Sequence, residues 1–456
     1  MSRDEEIASI LDEVLSRITP SDEEGMAMER VAKRLLERID GFYDEYGVRG
    51  MLVGSAARKT WISGEHDIDL FILFPESTGR ERLEDVGLLI AGSVLSDAER
   101  IEERYAEHPY LHGVIEGYGV DVVPCFDIRD ASRIKSAVDR TPHHNNFVRE
   151  EIAGLEGEVR LTKQFLKRAG IYGSELKIHG FSGYLSELLI IHFKSFMNLI
   201  RDAGNWRPGK VIDIKGHGTR RHESPLVVVD PTDPGRNVAA ALSLDNMCRF
   251  IDSARDFLDD PRIECFFKQE RSPPGVREIR EILHRRGSTL IGIRFLSPDI
   301  VDDLLYPQLE KMERSINRLF EMHDFRVINT GSIVSERNVY IICELFDREL
   351  PAVKKHIGPP VWERTDAERF KSKYQGKETL SHIYIKNGRY VVEIKRRHRR
   401  PTSLLQEELP RCGLGKDLRD TIREERFQIQ SQEELLTTED RTVRRFIHEL
   451  LTHNDP

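Results

Sequence analysis

The sequence predicts a multidomain α+β protein: a mixed α/β head, a mainly helical middle and a C-terminal βαββ-like body followed by a basic tail. Three observations predict it. Short β-rich runs alternate with helical stretches up to about residue 127, and strong helical periodicity fills residues 147–204. Past Pro273-Pro274-Gly275 the order becomes strand, helix, strand, strand. A chain of 456 residues suits about three or four domains at roughly 100–200 residues each. The expected divisions are residues 1–147, 148–265 and 266–456, with the βαββ-like body at about 286–350 and the basic tail at about 351–412.

The elements follow in chain order. Ile7, Ile10, Leu11, Val14, Leu15 and Ile18 recur at helical spacing. Ser21-Asp22-Glu23-Glu24 reads as a capping box opening a second helix that runs to about Tyr46. Strands are expected at Met51–Val53, Asp67–Phe74 and Val120–Val123. Helices are expected at Glu156–Ala169 and Gly183–Asp202, then a strand at Leu226–Val229 and a helix at Asn237–Asp259. The C-terminal body reads as strand Thr289–Phe295, helix Pro307–His323 and strands Arg326–Val334 and Val339–Phe346. That order is the unit found in ferredoxin-like and RNA-recognition folds.

Composition narrows the class. Hydrophobic residues make up 39% and charged residues 32%, and apolar stretches recur along the whole length, which argues against disorder. No run approaches the roughly 20 apolar residues of a membrane span. The opening Met1-Ser2-Arg3-Asp4-Glu5-Glu6 lacks the apolar core of a signal peptide. Cys125, Cys248, Cys265, Cys343 and Cys412 are scattered without paired spacing. That argues against a disulfide framework or a zinc site, and for a reducing cytoplasm. A net charge of −9 does not advertise a polyanion partner, so any nucleic-acid surface must be local.

The sharpest motif is Gly54-Ser55 followed by Asp67-Ile68-Asp69-Leu70. On a strand, alternate side chains share a face, so Asp67 and Asp69 point the same way. Two carboxylates that close repel unless a cation lies between them, and oxygen-only ligands suit Mg²⁺. Asp121 sits on a second apolar run, where a carboxylate needs a partner. A Gly-Ser turn offers backbone N–H groups to a phosphate. Together these residues suit phosphoryl transfer with two metal ions. An Asp-x-Asp alone would fit a solvated strand edge as well.

Glycine, serine, the paired carboxylates and the later third one resemble the nucleotidyltransferase superfamily that includes DNA polymerase β. Longer runs resemble the archaeal, class I CCA-adding enzymes: Gly54–Arg58, Asp121–Cys125, Ala137–His144, Gly180–Leu185, Val228–Pro231 with Arg236–Ala239, and Pro298–Asp303. The resemblance runs in order from about residue 5 to past 310, and less clearly to the end. The Arg-Arg-Asp of class II enzymes does not occur, and Glu439-Asp440 lacks an Arg three residues on.

The resemblance implies a polymerase β-like head and the roles of individual residues. Asp67, Asp69 and Asp121 would be catalytic and would bind two Mg²⁺ ions. Gly54, Ser55 and Arg58 would meet the triphosphate, as would Lys163 and Tyr172. His144 would bind nucleotide, and Arg236 would help choose between C and A. Each has a plainer alternative. Arg58 could be a surface arginine and His144 structural. Lys163, spaced with Arg160 and Lys167, could belong to a solvated basic face. Arg236 could sit at a helix N-terminus, bound to Asp230 or Asp233.

Charge is unevenly spread. Fifteen Lys or Arg against seven acids fall between Lys354 and Arg411, a local surplus of eight in a chain of −9. Lys395, Arg396, Arg397, Arg399 and Arg400 are the densest cluster, and Trp362, Phe370, Tyr374, Tyr384 and Tyr390 are interleaved. Basic patches with aromatics suit an RNA backbone; the alternative is a solvated edge strand. A smaller basic loop, Arg207 through Arg221, could also meet tRNA. The expected activity is addition of C, C and A to the 3′ end of tRNA from CTP and ATP, in the cytoplasm, with a homodimer possible. Alternatives are a poly(A) polymerase of the same superfamily and an RNA-binding scaffold on an inactive nucleotidyltransferase fold.

Overall fold

A computed structural model describes residues 2–105, 107–129, 133–268, 274–424 and 426–453. The chain divides into two units, residues 1–269 and 270–456.

The first unit opens with α1 (Arg3–Ile18) and α2 (Asp22–Asp40), each started by a reciprocal cap: the Ser2 and Ser21 hydroxyls accept from the Glu5 and Glu24 N–H groups, and those glutamates reach back. The single turn α3 (Tyr43–Tyr46) leads into β1 (Arg49–Val53), the one-turn α4 (Gly54–Arg58), β2 (Asp67–Pro75), α5 (Arg80–Val94), β3 (Ile101–Tyr105), β4 (Pro109–Ile115) and β5 (Tyr118–Asp127). The strands form one sheet in the order β1-β2-β5-β4-β3, with β2 and β5 parallel and the other pairs antiparallel. α2 and α5 cover one face, burying Leu35, Ile39, Leu83 and Ile90 against Ile68, Leu70, Ile72, Val120 and Val122. The opposite face carries a small apolar cluster of Val53, Phe71, Leu73, Val123 and Cys125.

Strands β3 and β4 were not expected. β3 is an edge strand whose Ile101, Glu103 and Tyr105 are exposed, so its charged residues hide the alternation that marks a half-buried strand.

The helical part continues with α6 (Arg140–Glu151), α7 (Glu156–Arg168), α8 (Gly183–Phe193) and α9 (Phe196–Ala203), then β6 (Lys210–Asp213), β7 (Leu226–Asp230), β8 (Asp233–Asn237) and α10 (Leu244–Asp259). The helix expected over 183–202 is two helices. Lys194 takes a left-handed conformation, and the Ser195 hydroxyl caps α9 by accepting from the Asn198 N–H at 3.1 Å. The helix expected from Asn237 starts at Leu244, capped by Ser243; the preceding residues form the hairpin β7–β8. Phe165, Phe196, Phe257 and Phe266 meet in the core at centroid distances of 5.5–6.1 Å. Removing one such ring costs about 3–5 kcal/mol. Ile7, Val14 and Ile18 of α1 pack into this helical core rather than into the head.

The second unit runs α11 (Val276–Arg286), β9 (Thr289–Leu296), α12 (Asp302–Met322), β10 (Val327–Ser335), β11 (Asn338–Leu345), β12 (Val353–Pro360), α13 (Arg364–Tyr374), β13 (Tyr384–Lys386), β14 (Arg389–Lys395), α14 (Pro401–Glu408), α15 (Lys416–Arg423), β15 (Phe427–Ser431), α16 (Gln432–Leu436) and α17 (Arg441–Thr452). The strand–helix–strand–strand order is present, in an antiparallel sheet β10-β11-β9-β15 whose last strand comes from far along the chain. α12 starts before Pro307, because Asp302 and Asp303 suit its positive end and Leu305 joins Leu309 in the core. Between β11 and β15 the chain inserts a second sheet, β12-β14-β13. α13 covers one face of it, burying Phe370 against Tyr390 and Val392. Among the described residues, no helix is long and apolar enough to cross a membrane.

Candidate active site

β2 and β5 run side by side in a register that pairs Asp69 with Asp121 and Asp67 with Gly119. All three carboxylates project from the face opposite α2 and α5, beyond the Phe71 and Val123 pair. Burial raises the Asp69 carboxyl to about 6, reinforced by the charges of Asp121 and Asp67. Asp67 is likewise raised, first by burial and then by Glu65 and Asp121. Three mutually repelling carboxylates with oxygen donors only fit a hard divalent cation.

Backbone geometry brings Asp69 close to the turn after β1. Gly54 has φ +72°, and a Cβ there would lie 2.0 Å from Asp69 Oδ2. Only glycine allows that approach. The following turn, α4, carries Ser55 and Arg58 and ends at Lys59 in the left-handed region.

Arg58 is held inside the unit. Its Nε donates to Glu187 Oε1 at 2.9 Å and its Nη1 to Asn145 Oδ1 at 3.1 Å, with the side chain 8% exposed. The surface-arginine alternative therefore fails. Glu187 also accepts from the Thr60 hydroxyl at 2.7 Å, so it ties α8 to the α4 turn. The α7 basic residues face inward too. Arg160 donates to the Trp61 carbonyl at 3.0 Å, and Lys167 pairs with Glu65. Lys163, 2% exposed, donates to the Thr60 carbonyl at 2.9 Å. Burial lowers the Lys163 pKa, while Glu187 and Glu65 oppose the shift. Tyr172 packs beside Lys167, whose Nζ lies 5.3 Å from its ring centre; burial pushes its phenol up.

A second cluster surrounds Asp230, which is fully buried. His144 Nε2 lies 2.8 Å and Arg236 Nη1 2.7 Å from its Oδ2, while Oδ1 accepts from the Thr232 N–H and hydroxyl and from Tyr184. The His144 ring stacks on Tyr184 at 4.1 Å. Burial alone would raise the Asp230 carboxyl, but the bonds from His144, Thr232 and Arg236 hold it well below the usual range. Burial in turn lowers His144, against the pull of Asp230. Arg236 does pair with Asp230, but from strand β8 rather than a helix N-terminus. Because the folded value is depressed, the stability Asp230 contributes is present above about pH 4 and is lost as pH falls further. Asp230→Asn should cost about 3 kcal/mol near pH 7, with the difference from wild type narrowing by pH 3. Urea unfolding at both pH values checks this; an equal cost at each would remove the charge from the explanation.

Sequence reasoning missed His112, a neighbour of Asp121, and Glu187, the partner of Arg58. His112 on β4 is in register with Asp121 and places Nδ1 2.7 Å from its Oδ1. Glu187 lies in the mainly apolar run of α8, where nothing local marks its partner. The signal for His112 was lost with its strand.

In the second unit, four of the five clustered arginines and lysines are engaged by acids: Arg396 with Asp324, Arg397 with Glu407 at 2.7 Å, Arg399 with Glu349 at 2.8 Å and Arg400 with Glu349 at 3.6 Å. Lys395 is exposed on β14 opposite Val353 of β12, on the face that also shows Lys355 and Ile357. α13 does not cover that face.

Residues 30–144 match the nucleotidyltransferase domain, residues 157–267 the second domain of tRNA nucleotidyltransferase, and residues 286–432 the C-terminal domain of the CCA-adding enzyme. The CCA-adding enzyme of Methanosarcina barkeri is 49% identical over 414 residues, 90% of this chain and 91% of that one.

The chain belongs to the CCA-adding enzyme family.

The relative from Methanosarcina mazei is 46% identical over 95% of this chain and 96% of its own, and that from Archaeoglobus fulgidus 39% identical over 94% and 96%. Membership makes the chain a nucleotidyltransferase of the archaeal type, as the motif runs implied. A solved cytoplasmic RNA terminal U-transferase aligns over 57% of this chain at 13% identity and a TM-score of 0.44.

Proposed function

We propose that this chain adds C, C and A in turn to the 3′ end of tRNA, taking CTP and ATP and releasing pyrophosphate. The observation that carries the reading is the in-register pairing of Asp69 with Asp121 beside Asp67. Asp67 and Asp69 would hold two Mg²⁺ ions and Asp121 would complete the site; bound there, the ions would supply activation of the terminal 3′-hydroxyl and neutralisation of the triphosphate. The 3′-oxygen then bonds to the α-phosphorus as the bond to pyrophosphate breaks. Gly54 and Ser55 face the triphosphate. Arg58 and Lys163, locked from beneath by Glu187 and Thr60, supply fixed positive charge, and Tyr172 completes that side. His144 and Arg236, oriented by Asp230, line the nucleotide site, with Arg236 reading the base.

Three domains, 1–147, 148–265 and 266–456, divide this work among catalysis, nucleotide and tRNA holding, and RNA binding. The β9–β11 body with its antiparallel β15 supports a ferredoxin-like, RNA-recognition-like reading of the last of them. We place the reaction in the cytoplasm; whether the chain forms a homodimer, as similar enzymes often do, is checked by light scattering.

The tRNA backbone meets the basic segment around Lys395, Arg396, Arg397, Arg399 and Arg400. The exposed pair Lys355 and Lys395 is its cleanest probe, because these lysines can be neutralised without breaking the ion pairs of the arginines. Lys355→Gln with Lys395→Gln should lower the slope of log affinity against log salt by about two units, roughly one per phosphate contact, with unchanged thermal stability. An unchanged slope would send the search to residues 207–221.

Incubating the protein with a tRNA lacking its 3′ end and all four NTPs, then sequencing the products, tests the function. Growth should stop after CCA. A run of A would make it a poly(A) polymerase, and no incorporation an RNA-binding scaffold.

A further inference from the structure

The turn that follows β14 holds a histidine in an unusual setting. His398 is 2% exposed, yet neither ring nitrogen makes a hydrogen bond. A buried imidazole without partners is costly, because both of its polar atoms leave water for nothing. Its Nε2 points at two carboxylates from the C-terminal end of α14: Glu407 Oε2 lies 3.8 Å away and Glu408 Oε1 4.0 Å. One ligand atom from each of the three residues lies within 4.8 Å of the others. The His323 ring meets the imidazole edge-on at 5.3 Å.

These distances are too long for hydrogen bonds and suit donors spread around one ion. Tetrahedral metal–ligand bonds of about 2.0–2.2 Å place neighbouring ligand atoms roughly 3.3–3.6 Å apart, so the 3.8 and 4.0 Å separations have only a few tenths of an ångström to close around an ion. One imidazole nitrogen and two carboxylate oxygens, with an open position for water, is a donor set for a borderline divalent cation of the Zn²⁺ class; Mg²⁺ and Ca²⁺ prefer oxygen alone. We propose that His398, Glu407 and Glu408 bind one such cation, which staples the β14–α14 turn to the end of α14. The site lies in the second unit and shares no residue with the carboxylates of β2 and β5. No cysteine takes part, so cysteine spacing could not have pointed to it.

A competing cation lies beside the two carboxylates. Arg397 reaches Glu407 Oε2 at 2.7 Å and Glu408 Oε1 at 3.3 Å, and Arg411 reaches Glu408 at 3.1 Å. Arg397 contacts the two oxygens that face His398, so it neutralises the carboxylates when no cation is bound. Its side chain is 65% exposed, so it can swing into solvent as the ion enters.

The test uses the full chain in excess Mg²⁺, which occupies all-oxygen sites. Co²⁺ serves as the spectroscopic probe for Zn²⁺. Wild type should bind one Co²⁺ with a visible absorption band, and Zn²⁺ should displace it and raise the unfolding temperature. His398→Gln, and separately Glu407→Gln with Glu408→Gln, should weaken binding at least about tenfold and abolish the thermal shift, since each removes a ligand. Arg397→Ala should tighten binding, because it removes the competing cation while leaving every ligand in place. Equal affinity in wild type and His398→Gln, or weaker binding in Arg397→Ala, would overturn the site. Should His398→Gln fail to fold, the Arg397→Ala result decides alone.

Discussion

Asp69→Asn is expected to lower nucleotide transfer by about a thousandfold or more, equivalent to roughly 4 kcal/mol of barrier, while tRNA binding stays near wild type. Asparagine preserves the shape but removes a charge that the divalent cations need. Asp121→Asn should behave alike, since the two residues are paired across β2 and β5. Stability separates a metal-holding role for these acids from a structural one. Asp69 titrates near 6 in the fold, raised by burial and by its carboxylate neighbours. A carboxylate with a raised folded value is destabilising when ionised, so above pH 6 its cost is present, and it fades as the pH falls. Metal-free Asp69→Asn should therefore be at least as stable as wild type at pH 7. Loss of tRNA binding and stability together with activity would show that the acids hold the fold and not the ions.

Gly54→Ala is expected to cost much of the activity without removing any charged group. The backbone at Gly54 is left-handed, and an added Cβ would fall 2.0 Å from Asp69 Oδ2. The left-handed strain costs about 1–2 kcal/mol. Asp69 must then move aside, and a displacement of about 1 Å at a reacting centre can cost a hundredfold in rate. Transfer should thus fall by about two orders of magnitude, with a loss of stability of only ~1–2 kcal/mol. Calorimetry and single-turnover transfer on the same preparation measure both. Full activity in the variant would mean that the turn does not set the position of Asp69.

The carboxylate site was legible because strand alternation and a glycine turn are local signals. Asp67, Asp69 and Asp121 needed only the expectation that each sat on a strand, and β2 and β5 supplied it. His112 was not legible, because β4 pairs with an edge strand whose exposed, charged side chains erase the period-two pattern. The sequence suggests a helix from Asn237, with a place at its N-terminus as the plainer alternative for Arg236. The Asn237 side chain, accepting from the Val228 and Ala239 N–H groups at 2.9 Å, instead closes a hairpin. Such side-chain caps override local propensity.

The burial of Lys163 and Arg58 was hidden for a different reason. Their partners, the Thr60 carbonyl and the Glu187 carboxylate, come from other elements, and helical spacing alone cannot separate an inward basic residue from a solvated one. The same holds for Arg396–Arg400, where the density of positive charge was plain but the opposing Asp324, Glu349 and Glu407 lay elsewhere in the sequence.

One site built on Asp67, Asp69 and Asp121 is expected to change its nucleotide with the length of the tRNA end. Single-nucleotide transfer onto three otherwise identical tRNAs, ending at the discriminator base, after C and after CC, measures this directly. CTP alone should extend the first two, ATP alone should extend the third, and Asp69→Asn should lose all three reactions together. Addition of A to every end, or an Asp69→Asn protein that still completes one of the steps, would contradict it.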